Sequence, residues 1–378
     1  MTRTAWVMLA ATLLASSLTS KAQVFKDTGS PLHGHAYATG TLIESGVLAE
    51  EVLIVDGINN DRNVIQAAEL YNPITGTFSN TGTTNHGHAY HTATWIPTIN
   101  KVLIVGGKNN DGQVGQYAEL YDPTTGVFTD TGSTNHGHSE HTATWISTIN
   151  KVLIVGGKNN DGEVIQYAEL YDPTTGKFTD TGSSNHGHSA HTATWIPTIG
   201  KVLVNSGYNN DGVVSQVAEL YDPTTGIFSD TGSLHHGHAW LSATWIPTIG
   251  EVLVNSGYNN DGSVSQTAEL YNPSTGTFSD TGSLHHGHAV FTATWIPTVK
   301  KVLVSSGYNN DGEVVQRAEL YDPSTGTFSD TASPNHGHAA HTANWLPNVN
   351  KVLISGGFNN DGEVVQRAEL FFFESVAH

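Results

Sequence analysis

Residues 141–182 read HTATWISTIN KVLIVGGKNN DGEVIQYAEL YDPTTGKFTD TG, and this stretch decides the fold. His141 to Ile146 is short and rich in Thr and Trp, which suits an extended strand. After a turn at Ser147 to Asn150, Lys151 to Val155 is an unbroken apolar run closed by Gly156-Gly157. Such a run suits a strand buried on both faces. Asn159-Asn160-Asp161-Gly162 is turn chemistry, because Asn, Asp and Gly tolerate positive φ. Tyr167 to Tyr171 reads as a third strand and Phe178 to Thr181 as a fourth. Between them, Asp172-Pro173-Thr174-Thr175-Gly176 is a turn with φ fixed by the proline.

The unit repeats. Ala168-Glu169-Leu170-Tyr171 has counterparts beginning at Ala68, Ala118, Ala218, Ala268, Ala318 and Ala368, always 50 residues apart. Seven copies of four antiparallel strands predict an all-β, seven-bladed β-propeller. No helical period occurs beyond the N-terminal leader, so residues 23–378 are expected to form a single domain.

The apolar run ending in Gly156-Gly157, followed by the aromatic pair Tyr171 and Phe178, resembles the kelch repeat. The resemblance spans the chain beyond its leader and implies the same propeller fold. Kelch blades usually carry Trp where Phe178 stands. The double glycine also weakens, to Asp56-Gly57, Ser206-Gly207, Ser256-Gly257 and Ser306-Gly307. The galactose-oxidase-like relatives hold copper with a Cys crosslinked to a Tyr. This chain has no Cys, which excludes that chemistry, disulfides and thiolate metal sites together. A lyase, hydrolase or sugar epimerase on this scaffold stays open, but no acid–base pair stands out, and Glu140 is given no role.

The termini check the blade count. Fourth-strand phenylalanines recur at Phe78, Phe128, Phe178, Phe228, Phe278 and Phe328, whereas the last unit ends at Phe371-Phe372-Phe373-Glu374. The missing strand stands at the other end, as Phe25 to Gly29. It is therefore expected to complete the seventh blade and leave no open edge.

Residues 1–22 read as an export signal: Arg3, an apolar run from Ala5 to Ala15, and a small-x-small site at Ser20-Lys21-Ala22. The protein is thus expected to be secreted, periplasmic or extracellular, with no further membrane-crossing segment. A net charge of −19 argues against nucleic acid as a partner.

Because strands alternate in direction, the loop between blades and the loop between second and third strands share one end, the top face. All seven units carry His-Gly-His in the first of these loops. Four units add a third histidine. The expected metal ligands are His86, His88 and His91; His136, His138 and His141; His186, His188 and His191; and His336, His338 and His341. In extended chain, imidazoles at i and i+2 point one way and could share Zn²⁺, Cu²⁺ or Ni²⁺, the third completing the set. The competing reading is a hydrogen-bonded turn, and the kelch resemblance implies a packing role at the position of His141. Asn109-Asn110-Asp111-Gly112 and its copies look like a fragment of a Ca²⁺ loop but lack the distal Glu, so a hairpin turn is the better reading.

A perfect ring has no unique site, so differences between units carry information. After the double-glycine position come Ile58, Lys108, Lys158, Tyr208, Tyr258, Tyr308 and Phe358, a lysine sector beside an aromatic one. Trp240-Leu241 and Val290-Phe291 stand where other units carry the third histidine, and Asn205 and Asn255 replace Val155. The expected ligand-binding set is Asn205, Tyr208, Trp240, Asn255, Tyr258, Phe291, Tyr308 and Phe358. Aromatic faces with flanking amides suit a glycan or an extracellular protein partner, and this implies a non-catalytic binding propeller, with a divalent-metal-binding protein or a carbohydrate-active enzyme as alternatives.

Overall fold

The computed structural model describes residues 21–374. The export leader expected over residues 1–22 falls almost wholly on residues 1–20, outside the described ones, as does His378. The described residues form seven four-stranded antiparallel sheets around an axis, and none is helical. Among the described residues no helix is long and apolar enough to cross a membrane.

Blade three shows the plan: Thr142–Ile146, Lys151–Val155, Ala168–Asp172 and Lys177–Asp180, paired in sequence order. These boundaries match the expected strands to within one residue. The first strand of each blade is innermost, and consecutive innermost strands lie side by side until the first meets the seventh.

The ring closes as the termini require. Ala22–Asp27 pairs antiparallel with Ala368–Glu374 in the seventh blade, with Phe25 opposite Phe371 and their rings 5.0 Å apart. The closing strand ends at Asp27, but Thr28 still donates its N–H to Ala368 O at 3.0 Å.

The core lies in the seams between blades. Ile146, Leu153, Val155 and Ala168 of blade three face Val202, Val204, Tyr221 and Phe228 of blade four. The repeated aromatic pair is a cross-strand neighbour pair: Tyr171 stands opposite Phe178, with rings 4.8 Å apart. Each tyrosine hydroxyl then reaches the preceding blade, as Tyr171 does to Thr131 Oγ1 at 2.9 Å. The seventh blade has Phe371 there, and Thr331 donates instead to Gln23 of the closing strand, at 2.7 Å.

The glycine pattern also has a physical cause. A Cβ on Gly157 (φ +90°) would lie 2.4 Å from Ser139 O, and equivalent clashes recur in every blade. The preceding position has positive φ too, yet Ser206, Ser256, Ser306 and Asp56 occupy it. The Asn-Asn-Asp-Gly loops turn as expected and also clamp blades. Asn110 Oδ1 accepts from Val64 N at 2.6 Å, and its amide donates to Val64 O at 3.1 Å.

Candidate functional site

The histidines of one loop go to three different places. The segment is bent, because Asn85 N and His86 N both donate to the Glu119 carboxylate. His86 and His88 therefore diverge, with ring centroids 6.5 Å apart at 79°. They do not share the one face expected of an extended chain.

His86, His136, His186 and His336 lie at the outer rim, 3.4–3.6 Å from Asp130, Asp180, Asp230 and Asp27. His86 and His136 stack on Tyr117 and Tyr167 at 3.9 and 3.7 Å. His88, His138, His188 and His338 are buried between blades, their Nε2 3.1–3.2 Å from Glu119, Glu169, Glu219 and Glu369. Nδ1 of His88 lies 2.6 Å from Gly106 O. Burial opposes the charge on His88, but the bond to Glu119 and the nearby Asp56 outweigh it and raise its pKa.

His91, His141, His191 and His341 reach the propeller axis, where Nε2 lies 2.8–3.0 Å from Thr39, Thr92, Thr142 and Thr292 of the preceding blade. Burial pushes their pKa values well below the ordinary 6.5, so they are neutral. Nε2 of each is thus hydrogen-bonded, whereas Nδ1 of all four is buried without a hydrogen-bond partner.

One residue before the third-histidine position in all seven blades (histidine in four, Ala38, Leu241 and Phe291 in the others) sits a column that organises the axis: Tyr37, Tyr90, Glu140, Ala190, Trp240, Val290 and Ala340. All seven have φ between 49° and 59°. Each N–H donates to the carbonyl of its counterpart in the preceding blade, at 2.9–3.3 Å, and Tyr37 N closes the circle onto Ala340 O. The result is a cyclic hydrogen-bonded collar. A left-handed conformation is costly for Trp and Val, and strain of this kind persists where surrounding structure enforces it.

The collar's side chains converge on the axis. The Tyr37 and Tyr90 rings lie 4.2 Å apart, and Trp240 crosses from blade five to within 5.9 and 6.2 Å of them. Burial, then the neighbouring phenols, holds Tyr37 protonated far above the usual tyrosine range. Glu140 forms ion pairs with Lys158 at 2.7 Å and Lys108 at 3.8 Å. Lys108 lies over the Tyr90 ring, and Arg62 lies 4.4 Å over Phe358. A cavity of about 240 Å³ is lined by collar residues and their successors, including Trp240, Phe291, Glu140 and His191.

The structure thus brings Trp240 and Phe291 of the expected ligand set to the axial cavity. Tyr208, Tyr258 and Tyr308 are half-buried and do not line it, and Phe358 is buried against Tyr37. Asn205 and Asn255 lie fully buried at the strand position that in blade three faces the seam, and Asn205 Nδ2 and both amide atoms of Asn255 have no hydrogen-bond partner. Asn205 Oδ1 accepts from Thr192 at 2.7 Å. Tyr37, Tyr90 and Glu140 were missed. Their signal is legible in the repeat, since Tyr, Tyr, Glu, Ala, Trp, Val and Ala fill one aligned column.

No protein-family model matches the sequence, and no curated protein matches it. Among solved structures 780 chains are similar in fold. One, described as the structure of YjhT, aligns over 80% of this chain and 99% of its own, with a TM-score of 0.62 and 15% identity. That likeness supports the propeller and carries nothing about ligand.

Proposed function

We propose that this chain is an exported, kelch-type binding propeller whose axial mouth takes a single sugar ring or a glycan terminus. The observation that carries the reading is the collar. Positions that sevenfold symmetry would make identical instead hold Tyr37, Tyr90, Glu140 and Trp240, gathered at one cavity. Aromatic rings offer flat faces to the C–H side of a sugar, while Glu140, Lys108 and Lys158 offer directional partners for hydroxyls.

Size favours this occupant. A cavity of about 240 Å³ lies just below the ~300–1,000 Å³ usual for drug-sized ligands. An extracellular protein would have to spread its contacts over roughly 800 Å² of this chain's surface, and the gathered residues make a hollow instead. The leader-like residues 1–22 support a ligand met outside the cytoplasm.

The test is a glycan array followed by calorimetry on the best binder. Trp240→Ala and Glu140→Gln should each weaken binding at least about tenfold, equivalent to ~1.4 kcal/mol. Binding that survives both changes would reject the axial site, and an empty array would reject the glycan.

A further inference from the structure

We propose a pair of divalent transition-metal sites on the outer rim of blades five and six, built from His235, Glu269 and Asp280 and from His285, Glu319 and Asp330. The inference is independent of the axial cavity and uses none of its residues.

The repeat supplies an internal control. In blades two, three, four and seven, the residue before the first histidine of His-Gly-His is Asn85, Asn135, Asn185 or Asn335. Its amide donates to the rim aspartate at 2.7–2.8 Å. An amide NH₂ satisfies that carboxylate but is no metal ligand. Blades five and six replace it with His235 and His285. These keep the contact, with Nδ1 at 2.8 Å from Asp280 Oδ1 and 2.9 Å from Asp330 Oδ1. The substitution therefore adds an imidazole where the hydrogen bond needed none.

The donor atoms are already gathered. In blades five and six this imidazole, the rim Asp and the seam Glu offer atoms within 4.8 Å of one another. The first histidine of His-Gly-His makes a like group in blades four (His186, Glu219, Asp230) and seven (His336, Glu369, Asp27), but there the Asn185 and Asn335 amides already hold the rim aspartate. Around a tetrahedral ion with ~2.0–2.1 Å bonds, neighbouring ligand atoms stand roughly 3.3–3.4 Å apart. In blade six a second imidazole stands close by, with His286 Nε2 at 3.7 Å from the same Asp330 oxygen. The mixed nitrogen and oxygen set suits Zn²⁺, Ni²⁺ or Cu²⁺.

Outer partners hold these groups in place, as metal sites require. The Glu319 carboxylate accepts from His285 N and His286 N at 2.9 and 3.0 Å, with His288 Nε2 at 3.4 Å. Glu269 accepts from His235 N and His236 N at 2.9 and 3.0 Å. In blade five, however, His238 Nε2 turns to Thr267 at 3.3 Å, so Glu269 keeps a lone pair that the other seam glutamates share with a histidine. Arg317 lies near His286, whereas Thr267 holds the equivalent position in blade five. Both differences make blade five the tighter site. His235 and His285 are about half exposed, which leaves the open side to water.

The test is calorimetry and elemental analysis of the chain with Zn²⁺, Ni²⁺ and Cu²⁺ at neutral pH. Two ions per chain are expected. His235→Asn and His285→Asn restore the residue of the other blades and preserve the hydrogen bond, so folding is not at stake. Each should remove one ion, the double variant both, and metal should raise the melting temperature of the parent chain alone. Absence of binding, or a stoichiometry unmoved in the double variant, would overturn the proposal.

Discussion

At the residue scale, one loop motif divides into three roles, and each has its own test. His88 and Glu119 are buried at 1% and 0% exposure, 3.2 Å apart. Glu119→Ala strands the imidazole and two backbone N–H groups, and should cost about 3–5 kcal/mol in denaturant unfolding. The neutral axial histidines predict a pH effect. Unfolded, each ionises near 6.5; folded, well below it. As pH falls below 6.5, the unfolded state binds protons that the folded state does not. Stability is then lost at about 1.4 kcal/mol per pH unit for each histidine. His88, with its raised pKa, works in the opposite direction above 6.5. His141→Gln should therefore show a shallower loss of stability between pH 6.5 and 5; parallel curves would refute the assignment. Sequence reading found the histidines but not their directions. Spacing i, i+2 implies a shared face only in extended chain, and two N–H bonds to a distant glutamate bend this segment. Glu140 escaped for a related reason: its partners Lys108 and Lys158 lie in other loops, joined to it only by the fold.

At the element scale, the strands were legible almost to the residue, because each is bounded by a turn of distinctive chemistry and repeated seven times. The two glycines after the second strand differ in a way the sequence displays and the structure explains. Gly156→Ser copies a residue that three other blades hold at φ 54–62°, but a Cβ here would meet His188 O at 2.4 Å, so that loop must shift and the melting temperature should fall, though less than at the second glycine. Gly257→Ala puts a Cβ 2.6 Å from Ala239 O at φ +103° and should lower the melting temperature sharply. Equal shifts for the two would contradict the account. The closing strand gives a second test. Phe25 is 7% exposed and packs on Phe371, so Phe25→Ala should destabilise by about 3–5 kcal/mol.

At the scale of the whole molecule, sevenfold repetition fixes the scaffold and hides the site. Identical units predict a ring but say nothing about which units matter. The information lies in the few columns where copies diverge. The sequence displays both divergent columns, the one after the double glycine and the collar, but only the circle of backbone bonds shows that the collar positions meet on the axis. In the proposed function this collar, by gathering Tyr37, Tyr90, Glu140 and Trp240 on the axis, makes an axial ligand mouth. The most direct measurement is a crystal structure of the chain with its tightest-binding glycan. The account predicts a sugar ring on the axis, against Trp240 and within hydrogen-bond reach of Glu140 or its lysines. A sugar bound in the grooves between blades, with the axial cavity empty, would contradict it.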